Sequence, residues 1–402
     1  MRAPRSLVFV AMVSVLASCS SGATTAPSST STTRLGPTTT AATPTTSTRA
    51  TTTVAPRSTS TSTSITPTTT APNPAAGVYA HTLSAADLSP AVKDAKNLVY
   101  VPNSESNSVD VIDPLTYTVV DHFTVGDLPQ HIVPAWDLKT LYVNIDKGNT
   151  LVPIDPLTGK PAAPISVDDP YNLYFTPDGQ YAIVVAEARG RLDFYDPHTW
   201  KRQFWIRVPH NGVNHIDFSA DGTTFVASCE FSGWLVRGSI ADRKLTGELH
   251  VGGSPIDVKL SPDGSVFFVA NMMLSGVHVI DPVAMKQIEF IPTGYGAHGL
   301  YPSRDARKLY VSNRYAGTVS VIDFASRTVE QTWRTGGSPD MGGVTTDGKE
   351  LWLSSRYSGE VLIIDTTTGD VTHRIAVGRG PHGLCVFPQP GRFSMGHTGN
   401  YR

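Results

Sequence analysis

Cysteine is almost absent from this chain of 402 residues, which contains only Cys19, Cys229 and Cys385. Three cysteines are too few for a fold held together by disulfides, and we expect Cys229 and Cys385 to be buried thiols. The Cys-x-x-Cys-His motif of covalent haem attachment does not occur, and neither does the Gly-x-Ser-x-Gly motif of a nucleophilic serine. These absences exclude covalent haem in its usual form and hydrolases built on that serine motif.

Charged residues are also scarce, and the two signs nearly cancel. They make up 16% of the chain, and the formal net charge is −2 at pH 7. A protein that binds nucleic acid needs a basic excess or a basic stripe, and the sequence has neither, so we expect no nucleic-acid partner. Hydrophobic residues make up 40% of the chain, which is enough for a sizeable core.

The N-terminus has the features of an export signal. Arg2 and Arg5 precede an apolar stretch, residues 7–16, that is too short to span a bilayer. The Leu-Ala-Ser-Cys sequence at residues 16–19 resembles the bacterial lipobox, which implies a signal peptide of residues 1–18 and a diacylglyceryl anchor on Cys19. The alternative is an ordinary secretory signal cut near Ser18. The resemblance implies an extracytoplasmic protein that is anchored in the cell membrane through its lipid.

Residues 19–77 are dominated by Thr, Ser, Pro and Ala. Such a composition has too little apolar surface to offset the entropy of ordering, and its prolines favour an extended chain. We therefore expect a lipid-anchored linker here, followed at residues 78–96 by a segment that precedes the repeats described below. No later apolar stretch approaches the roughly 20 residues that a membrane-spanning helix needs.

The rest of the sequence repeats one strand-turn-strand unit every 41–43 residues. In one copy, LYVSNRYAGTVSVID at residues 309–323, two runs with apolar residues flank turn residues that include Gly317, and the pattern stops at Asp323. The stop positions of the seven copies are Asp113, Asp155, Asp196, Ser239, Asp281, Asp323 and Asp365. An all-β repeat of this period is typical of the four-stranded blades of a β-propeller.

The two ends of the repeat region predict how the ring closes. The first unit lacks its first strand, and the C-terminal sequence Pro-His-Gly-Leu-Cys-Val-Phe at residues 381–387 is a first strand with no unit after it. We predict an all-β, seven-bladed β-propeller at residues 97–391, closed by pairing of that C-terminal strand with the N-terminal blade. Residues 392–402 remain as a C-terminal tail, and we expect a monomer.

This pattern resembles the YVTN-repeat β-propellers of the YncE-like group, which lie in a superfamily with quinoprotein amine dehydrogenases and haem d1 propellers. The resemblance covers about residues 97–387, and the Gly-His and Trp-Asp signatures of WD40 repeats are missing. It implies the fold but leaves the function open, because propellers host many unrelated activities.

Two sets of repeat positions are expected to lie at one mouth of the central channel. One set opens the first strand of each blade: His382, His131, Asn172, His215, Asp257, His298 and Asp340. The other lies nine residues before each stop position: Ser104, Asp146, Glu187, Glu230, Met272, Arg314 and Arg356. Acidic residues occupy three successive blades and arginines two successive blades elsewhere in the ring, so the predicted mouth is electrically uneven.

Three roles for these residues are compatible with the sequence. They can hydrogen-bond neighbouring blades, since buried polar groups must be paired. Imidazoles from His131, His215, His298 and His382 can bind a divalent metal ion if the channel is narrow. Finally, Arg314 and Arg356 can face a carboxylate while Asp146, Glu187 or Glu230 faces a cation, which would suit a small polar ligand.

The function predicted from the sequence is a binding or interaction module that uses the polar mouth of the channel, with a small polar ligand or an envelope protein as partner. The alternative is a metal-dependent enzyme at the same mouth, a lactonase-like hydrolase or an oxidoreductase. Asp146, Asn172, Glu187 and Asp257 offer oxygen and amide ligands for such a site, but no residue matches a lactonase motif, and no catalytic residue is assigned.

Overall fold

The repeats fold into seven antiparallel sheets, which we number as blades 1 to 7 along the chain. Six sheets have four strands, and blade 2 has five because two short strands, one after the other, pair with its third strand. The structure is a computed structural model that describes residues 77–397 and 400–402. The predicted signal peptide, Cys19 and almost all of the predicted linker lie outside the described residues. The predicted seven-bladed propeller is confirmed.

The strands of the first three blades are as follows: blade 1 holds β1 (Leu98–Asn103), β2 (Ser108–Asp113) and β3 (Thr118–Thr124); blade 2 holds β4 (Pro129–Pro134), β5 (Leu141–Ile145), β6 (Thr150–Asp155), β7 (Lys160–Pro161) and β8 (Ile165–Ser166); blade 3 holds β9 (Pro170–Phe175), β10 (Ala182–Ala186), β11 (Arg191–Tyr195) and β12 (Arg202–Arg207).

The strands of the remaining blades are these: blade 4 holds β13 (Val213–Phe218), β14 (Thr224–Cys229), β15 (Trp234–Ser239) and β16 (Lys244–His250); blade 5 holds β17 (Pro255–Leu260), β18 (Phe267–Asn271), β19 (Gly276–Asp281) and β20 (Lys286–Pro292); blade 6 holds β21 (Ala297–Pro302), β22 (Lys308–Asn313), β23 (Thr318–Asp323) and β24 (Thr328–Arg334); blade 7 holds β25 (Pro339–Val344), β26 (Glu350–Ser355), β27 (Glu360–Asp365) and β28 (Val371–Ala376).

The last strand, β29 (Cys385–Phe387), closes the ring. It pairs antiparallel with β1, with Val386 opposite Val99, and becomes the inner strand of blade 1. Cys385 lies in this strand and Cys229 in β14, and both are buried free thiols. The C-terminal strand thus completes the N-terminal blade, as the sequence predicts.

Turn chemistry explains why each strand ends where it does. In the Thr-Pro-Asp-Gly turn after β9, the Thr176 hydroxyl donates to Asp178 at 2.6 Å and Gly179 has a φ of +70°. After β2, the Asp113 carboxylate accepts from the backbone N–H of Leu115 at 2.9 Å, and the stop aspartates of other blades bond in the same way. These side chains replace the sheet bonds that the backbone loses as it turns.

The hydrophobic core lies between neighbouring blades. One cluster joins Tyr174 and Phe194 of blade 3 to Phe218 and Phe225 of blade 4, and all four are buried. Similar clusters lie between other neighbouring blades. Burial of apolar area between sheets is the main favourable contribution to a fold of this kind, so each blade depends on its neighbours.

We call the face where the inner strands begin the upper face and the face where they end the lower face. Residues from both chain ends cover the lower face. Near the N-terminus, the Val78 N–H donates to the carbonyl of Pro262, and the Tyr79 hydroxyl donates to that of Leu260 at 2.8 Å. Short 3-10 turns follow at Ala85–Asp87 and Pro90–Val92. No helix among the described residues is long and apolar enough to cross a membrane.

The C-terminal tail also packs on the lower face and enters the channel. The N–H of Phe175 donates to the carbonyl of Met395 at 3.0 Å, and the N–H of His397 donates to that of Leu173 at 3.3 Å. Residue 400 follows the two residues that the structure does not describe, and its side chain contacts the Ile216 carbonyl in blade 4. Residues 392–402 are therefore a structural part of the propeller rather than an appendage to it.

Candidate functional site

Bulges in the inner strands lie beside the channel-facing polar residues. In β4, Pro129 pairs with Ile145 but Ile132 pairs with Val143, so two residues, including His131, lie opposite one. The same irregularity occurs in β13, β17, β21 and β25, where it includes His215, Asp257, His298 and Asp340. A bulge turns a side chain out of the normal alternation of a strand, and it is common next to functional sites.

Three imidazoles meet in the channel, and we call them the histidine trio. His131 comes from blade 2, His215 from blade 4 and His397 from the tail. Their ring centroids are 5.4 Å apart for His131 and His215, 5.2 Å for His131 and His397, and 4.6 Å for His215 and His397. One nitrogen from each ring lies within 4.8 Å of the other two. Since blade 3 separates blades 2 and 4, the channel is narrow at this level.

The trio is buried and has no polar partner. All three side chains have 0% exposure. None of their six ring nitrogens has a hydrogen-bond partner within the residues described by the structure. Burial lowers the pKa of each ring well below its usual value. Neighbouring histidines lower it further: His382 acts on His131, His131 acts on His215, and both His215 and His131 act on His397. The trio is therefore neutral at physiological pH, which is the form of imidazole that binds metal ions.

His298 and His382 belong to a different arrangement, centred on Asp340. The Asp340 carboxylate accepts from His382 Nδ1 at 2.7 Å and from Arg314 Nη2 at 2.5 Å, and His298 Nδ1 lies 3.1 Å from it. Burial opposes ionisation of Asp340, but Arg314 and the two histidines hold its pKa well below the usual value. Burial also lowers the pKa of His382, to about 4, against the opposing effect of Asp340. Of the four histidines predicted as metal ligands, two thus join the trio and two join Asp340.

Two other residues that were predicted to line the channel, Asp257 and Asn172, bond to backbone N–H groups. Asp257 accepts from the N–H of Val258 and, across the blade boundary, from that of Leu300, both at 2.9 Å. Asn172 accepts from the N–H of Leu173 at 2.9 Å and donates to the Tyr174 hydroxyl. Asp257 also lies 3.7 Å from His397 Nε2. Asp257 therefore ties neighbouring blades together, while Asn172 supports its own strand.

The mouth above the trio is acidic on one side. Asp146, Glu187 and Glu230 are partly exposed on blades 2, 3 and 4. Burial raises the pKa of Glu187 to about 8, with Glu230 and Asp146 as the next causes. Burial likewise raises the pKa of Glu230 to about 7 and that of Asp146 to about 6, with a further contribution from Asp169 at Asp146. Three carboxyl groups thus lie together without enough positive charge to offset them.

The basic side of the mouth is largely neutralised. Arg314 is buried against Asp340, and its Nη1 lies 3.7 Å from the Met272 sulfur. Arg356 is partly exposed, with Nη1 3.9 Å from Asp340 Oδ2. Ser104 on blade 1 donates to the Gly380 carbonyl at 2.8 Å. The mouth therefore has carboxyl groups without cationic partners on blades 2 to 4, and burial and mutual repulsion keep part of them protonated near pH 7. The arginines of blades 6 and 7 share the Asp340 carboxylate.

The trio fits a first-row transition metal by its donor set. Imidazole nitrogen suits zinc, copper, iron and nickel. Zinc held at about 2.0–2.1 Å from three nitrogens would keep them about 3.4 Å apart, so nitrogens 4.8 Å apart would approach by about 1.4 Å. His382 is a candidate fourth ligand, because its ring centroid is 4.8 Å from that of His131. Its bond to Asp340 is also the kind of outer carboxylate contact that orients metal-binding histidines.

His397 is the functional candidate that repeat reasoning misses. It has no equivalent in the seven units, because it lies beyond the strand that closes the ring. The sequence feature that could have indicated it is His-Thr-Gly-Asn at residues 397–400, a polar stretch with a histidine after the last repeat. Its position in the channel depends on the path of the tail, which the repeat period does not specify.

Comparison with known proteins decides the family. A family model described as "YNCE-like beta-propeller" matches residues 69–392. The chain belongs to the YncE-like β-propellers. The sequence-based assignment is thus confirmed, and the match ends before the tail that carries His397. No curated protein matches this chain.

Solved structures similar to this YncE-like propeller share its fold at low sequence identity. Hydrazine synthase of Kuenenia stuttgartiensis is 19% identical with a TM-score of 0.61, over 69% of this chain and 94% of that one. A functionally unknown protein from Desulfotomaculum acetoxidans is 20% identical with a TM-score of 0.62, over 72% and 98%. A 6-phosphogluconolactonase of Bacteroides uniformis, so described provisionally, is 17% identical with a TM-score of 0.60, over 72% and 99%. At these identities the likeness shows the fold alone.

Proposed function

We propose that this YncE-like propeller is an exported, lipid-anchored binding module whose channel binds one first-row transition-metal ion. His131, His215 and His397 are the ligands, and His382 is in position to be the fourth. One observation carries the proposal: six ring nitrogens on three fully buried histidines lack any polar partner among the described residues.

Burying the three imidazoles without polar partners costs free energy. A neutral imidazole has one N–H donor and one acceptor nitrogen, and burying either without a partner costs about 1–3 kcal/mol. Three such rings in contact therefore carry a cost of several kcal/mol that purely structural residues would not retain. A metal ion bonded to the acceptor nitrogen of each ring offsets that part of the cost, and it requires the neutral form that burial already favours.

The site suits a protein that binds a metal ion better than an enzyme that uses the metal for catalysis. A catalytic metal keeps one position open to substrate, whereas the three proposed ligands have no exposed surface. Recognition of a carboxylate by the arginines, which the sequence also allows, is less favoured because Arg314 is already bonded to Asp340. The cellular location rests on the sequence alone, through residues 1–18 and Cys19, and remains part of the proposal.

The test is metal binding by the full-length chain, extracted in detergent and stripped with a chelator. After the stripped protein is reloaded with Zn²⁺ or Cu²⁺ and unbound metal is removed, we expect one metal ion per chain by elemental analysis. At a free metal concentration 100 times Kd, the native state should gain about 2.7 kcal/mol in unfolding free energy. Removing one ligand by His397→Ala should weaken binding at least tenfold, because one metal bond is lost.

Two histidine variants outside the channel serve as controls. His122→Ala removes a partly exposed histidine that pairs with Asp110 on the edge of blade 1. His278→Asn removes a buried histidine bonded to Asn271 and Gln287 in blade 5. Both variants should bind metal like the parent protein. Substoichiometric metal in the parent protein, or equal binding by the His397→Ala variant, contradicts the proposal.

A further inference from the structure

The chain closes the channel below the histidine trio. The tail backbone bonds to Leu173 and Phe175 of blade 3, and Lys259 of blade 5 donates to Asn400. Arg402 Nη2 bonds to both oxygens of Asp217, at 3.1 and 3.3 Å. Among the described residues, these contacts occupy the lower end at blades 3, 4 and 5, which favours the upper mouth as the route to the trio.

The acidic side of that mouth lies close to the trio. Asn214, the residue before His215, donates from Nδ2 to Glu230 at 2.7 Å and to Glu187 at 3.3 Å. One buried amide therefore holds both carboxyl groups near the same point of the channel. The mutual repulsion of these groups, which contributes to the raised pKa of Glu187, would be relieved by a passing cation.

Tyr171 lies between the carboxyl groups and the trio. Its ring centroid is 5.3 Å from that of His131 and 6.2 Å from that of His215, with edge-to-face geometry in both cases. Burial is the main reason for the raised pKa of its hydroxyl, and Glu187 and Glu230 are the next causes. Because Tyr171 is partly exposed while the trio is fully buried, it is the side chain that separates the rings from the mouth at this point.

We propose that metal ions reach the histidine trio through the acidic side of the upper mouth, between Glu187 and Glu230 and past Tyr171. This inference rests on the proposed metal site. The Glu187 and Glu230 carboxyl groups release their protons to solvent as their oxygens replace water molecules around the arriving cation, and rotation of the Tyr171 ring admits it to the imidazoles. The same path selects against anions, since carboxylate oxygens line its opening.

The experiment measures the rates at which the full-length protein takes up and releases Zn²⁺. Uptake is followed by mixing the stripped protein with Zn²⁺, and release by adding excess chromophoric chelator to the loaded protein. The double variant Glu187→Gln and Glu230→Gln should slow both rates about tenfold, because the transient ligands are lost in both directions. The Tyr171→Ala variant should accelerate both rates. Metal stoichiometry should remain at one in each variant.

A variant on blade 1 controls for the loss of charge. Glu105→Gln removes an exposed carboxylate from the same face, and it should leave both rates within about twofold of the parent, since salt screens distant charges. Unchanged uptake in the Glu187 and Glu230 variant, unchanged release, or equal slowing in the control overturns the proposed path. Absence of bound Zn²⁺ in the parent protein would instead overturn the metal site itself, so the two failures are distinguishable.

Discussion

The two ends of the channel are built from different parts of the chain. The upper end uses repeat positions, so Asp146, Glu187 and Glu230 hold equivalent places on successive blades. The lower end is covered by the segment before the first repeat and the tail after the last, which contact the blades through single, unrepeated bonds. The comparison shows that the repeat supplies a ring of similar positions, while the chain ends break the symmetry and supply one specific ligand, His397.

The lower end also differs in its energetics. The blades are held together mainly by apolar clusters, whereas the tail is held by buried polar pairs such as Lys259 with Asn400 and Arg402 with Asp217. A broken apolar contact loses only its own burial energy, but a broken buried polar pair also leaves one charge without a partner. Variants at the lower end should therefore have the largest effects.

Replacing Asn400 by Leu should produce the largest loss of stability. Lys259 is fully buried, and the Asn400 side chain is its hydrogen-bond partner. Leaving that amino group without its partner should lower the free energy of unfolding by about 3–5 kcal/mol, measured by denaturant titration.

A second substitution tests the physical reason for that loss. The double variant Lys259→Met with Asn400→Leu replaces the polar pair by apolar side chains of similar size, so most of the lost stability should return. If the double variant is no more stable than Asn400→Leu alone, the loss does not come from the unpaired Lys259 amino group. The stability of the lower end would then not depend on this buried polar pair.

Replacing Asp340 by Asn should have the next largest effect. Its carboxylate is the charge that Arg314, His298 and His382 share, and all four side chains are buried or nearly so. Removing this charge should cost about 3 kcal/mol in unfolding free energy, since the Arg314 guanidinium loses its counter-ion. Asp365→Asn is the matched control, because this partly exposed residue at the end of β27 keeps the oxygen that accepts from the backbone N–H groups of Thr367 and Thr368. Equal losses in the two variants would show that Asp340 is not the centre of a charge network.

The fold and the upper end could be predicted because both follow from the repeat. A stop residue, aspartate in six of the seven units, recurs every 41–43 residues and predicts the length of each blade. The unpartnered first strand at residues 381–387 predicts how the ring closes. The same register puts Arg314 and Asp340 on adjacent blades at one mouth, and in the structure the two side chains form an ion pair. Nearest-neighbour geometry repeats from blade to blade, so it can be derived from sequence spacing alone.

The composition of the histidine trio could not be predicted in the same way. Spacing suggested four equivalent histidines, but His382 is hydrogen-bonded to Asp340, and His298 Nδ1 lies 3.1 Å from the same carboxylate. The place of a third ring near His131 and His215 is filled by His397, whose position depends on how the tail bonds to blade 3. Both outcomes depend on individual side-chain contacts, which a repeat period does not encode.

The smallest predicted effect concerns pH and the acidic side of the mouth. The pKa of Glu187 rises from 4.5 to about 8 in the folded protein, so the native state holds its proton more tightly than the unfolded chain. A raised carboxyl pKa makes stability fall as pH increases from about 4.5 to about 8, because ionisation favours the unfolded chain. Glu187→Gln cannot ionise, so it should unfold at a temperature about 2 °C higher than the parent at pH 8 and at the same temperature near pH 4.5.

The control for this pH effect is Glu105→Gln, an exposed carboxyl group on the same face. Its unfolding temperature should follow that of the parent at every pH, because loss of an exposed charge changes stability little. The decisive quantity is the difference in unfolding temperature between Glu187→Gln and the parent, measured from pH 4.5 to pH 8 in chelator. A difference that stays constant with pH would mean that the Glu187 carboxyl group ionises as easily in the fold as in the unfolded chain. The repulsion that we attribute to the acidic side of the mouth would then be absent, and the two sides of the mouth would be electrically alike.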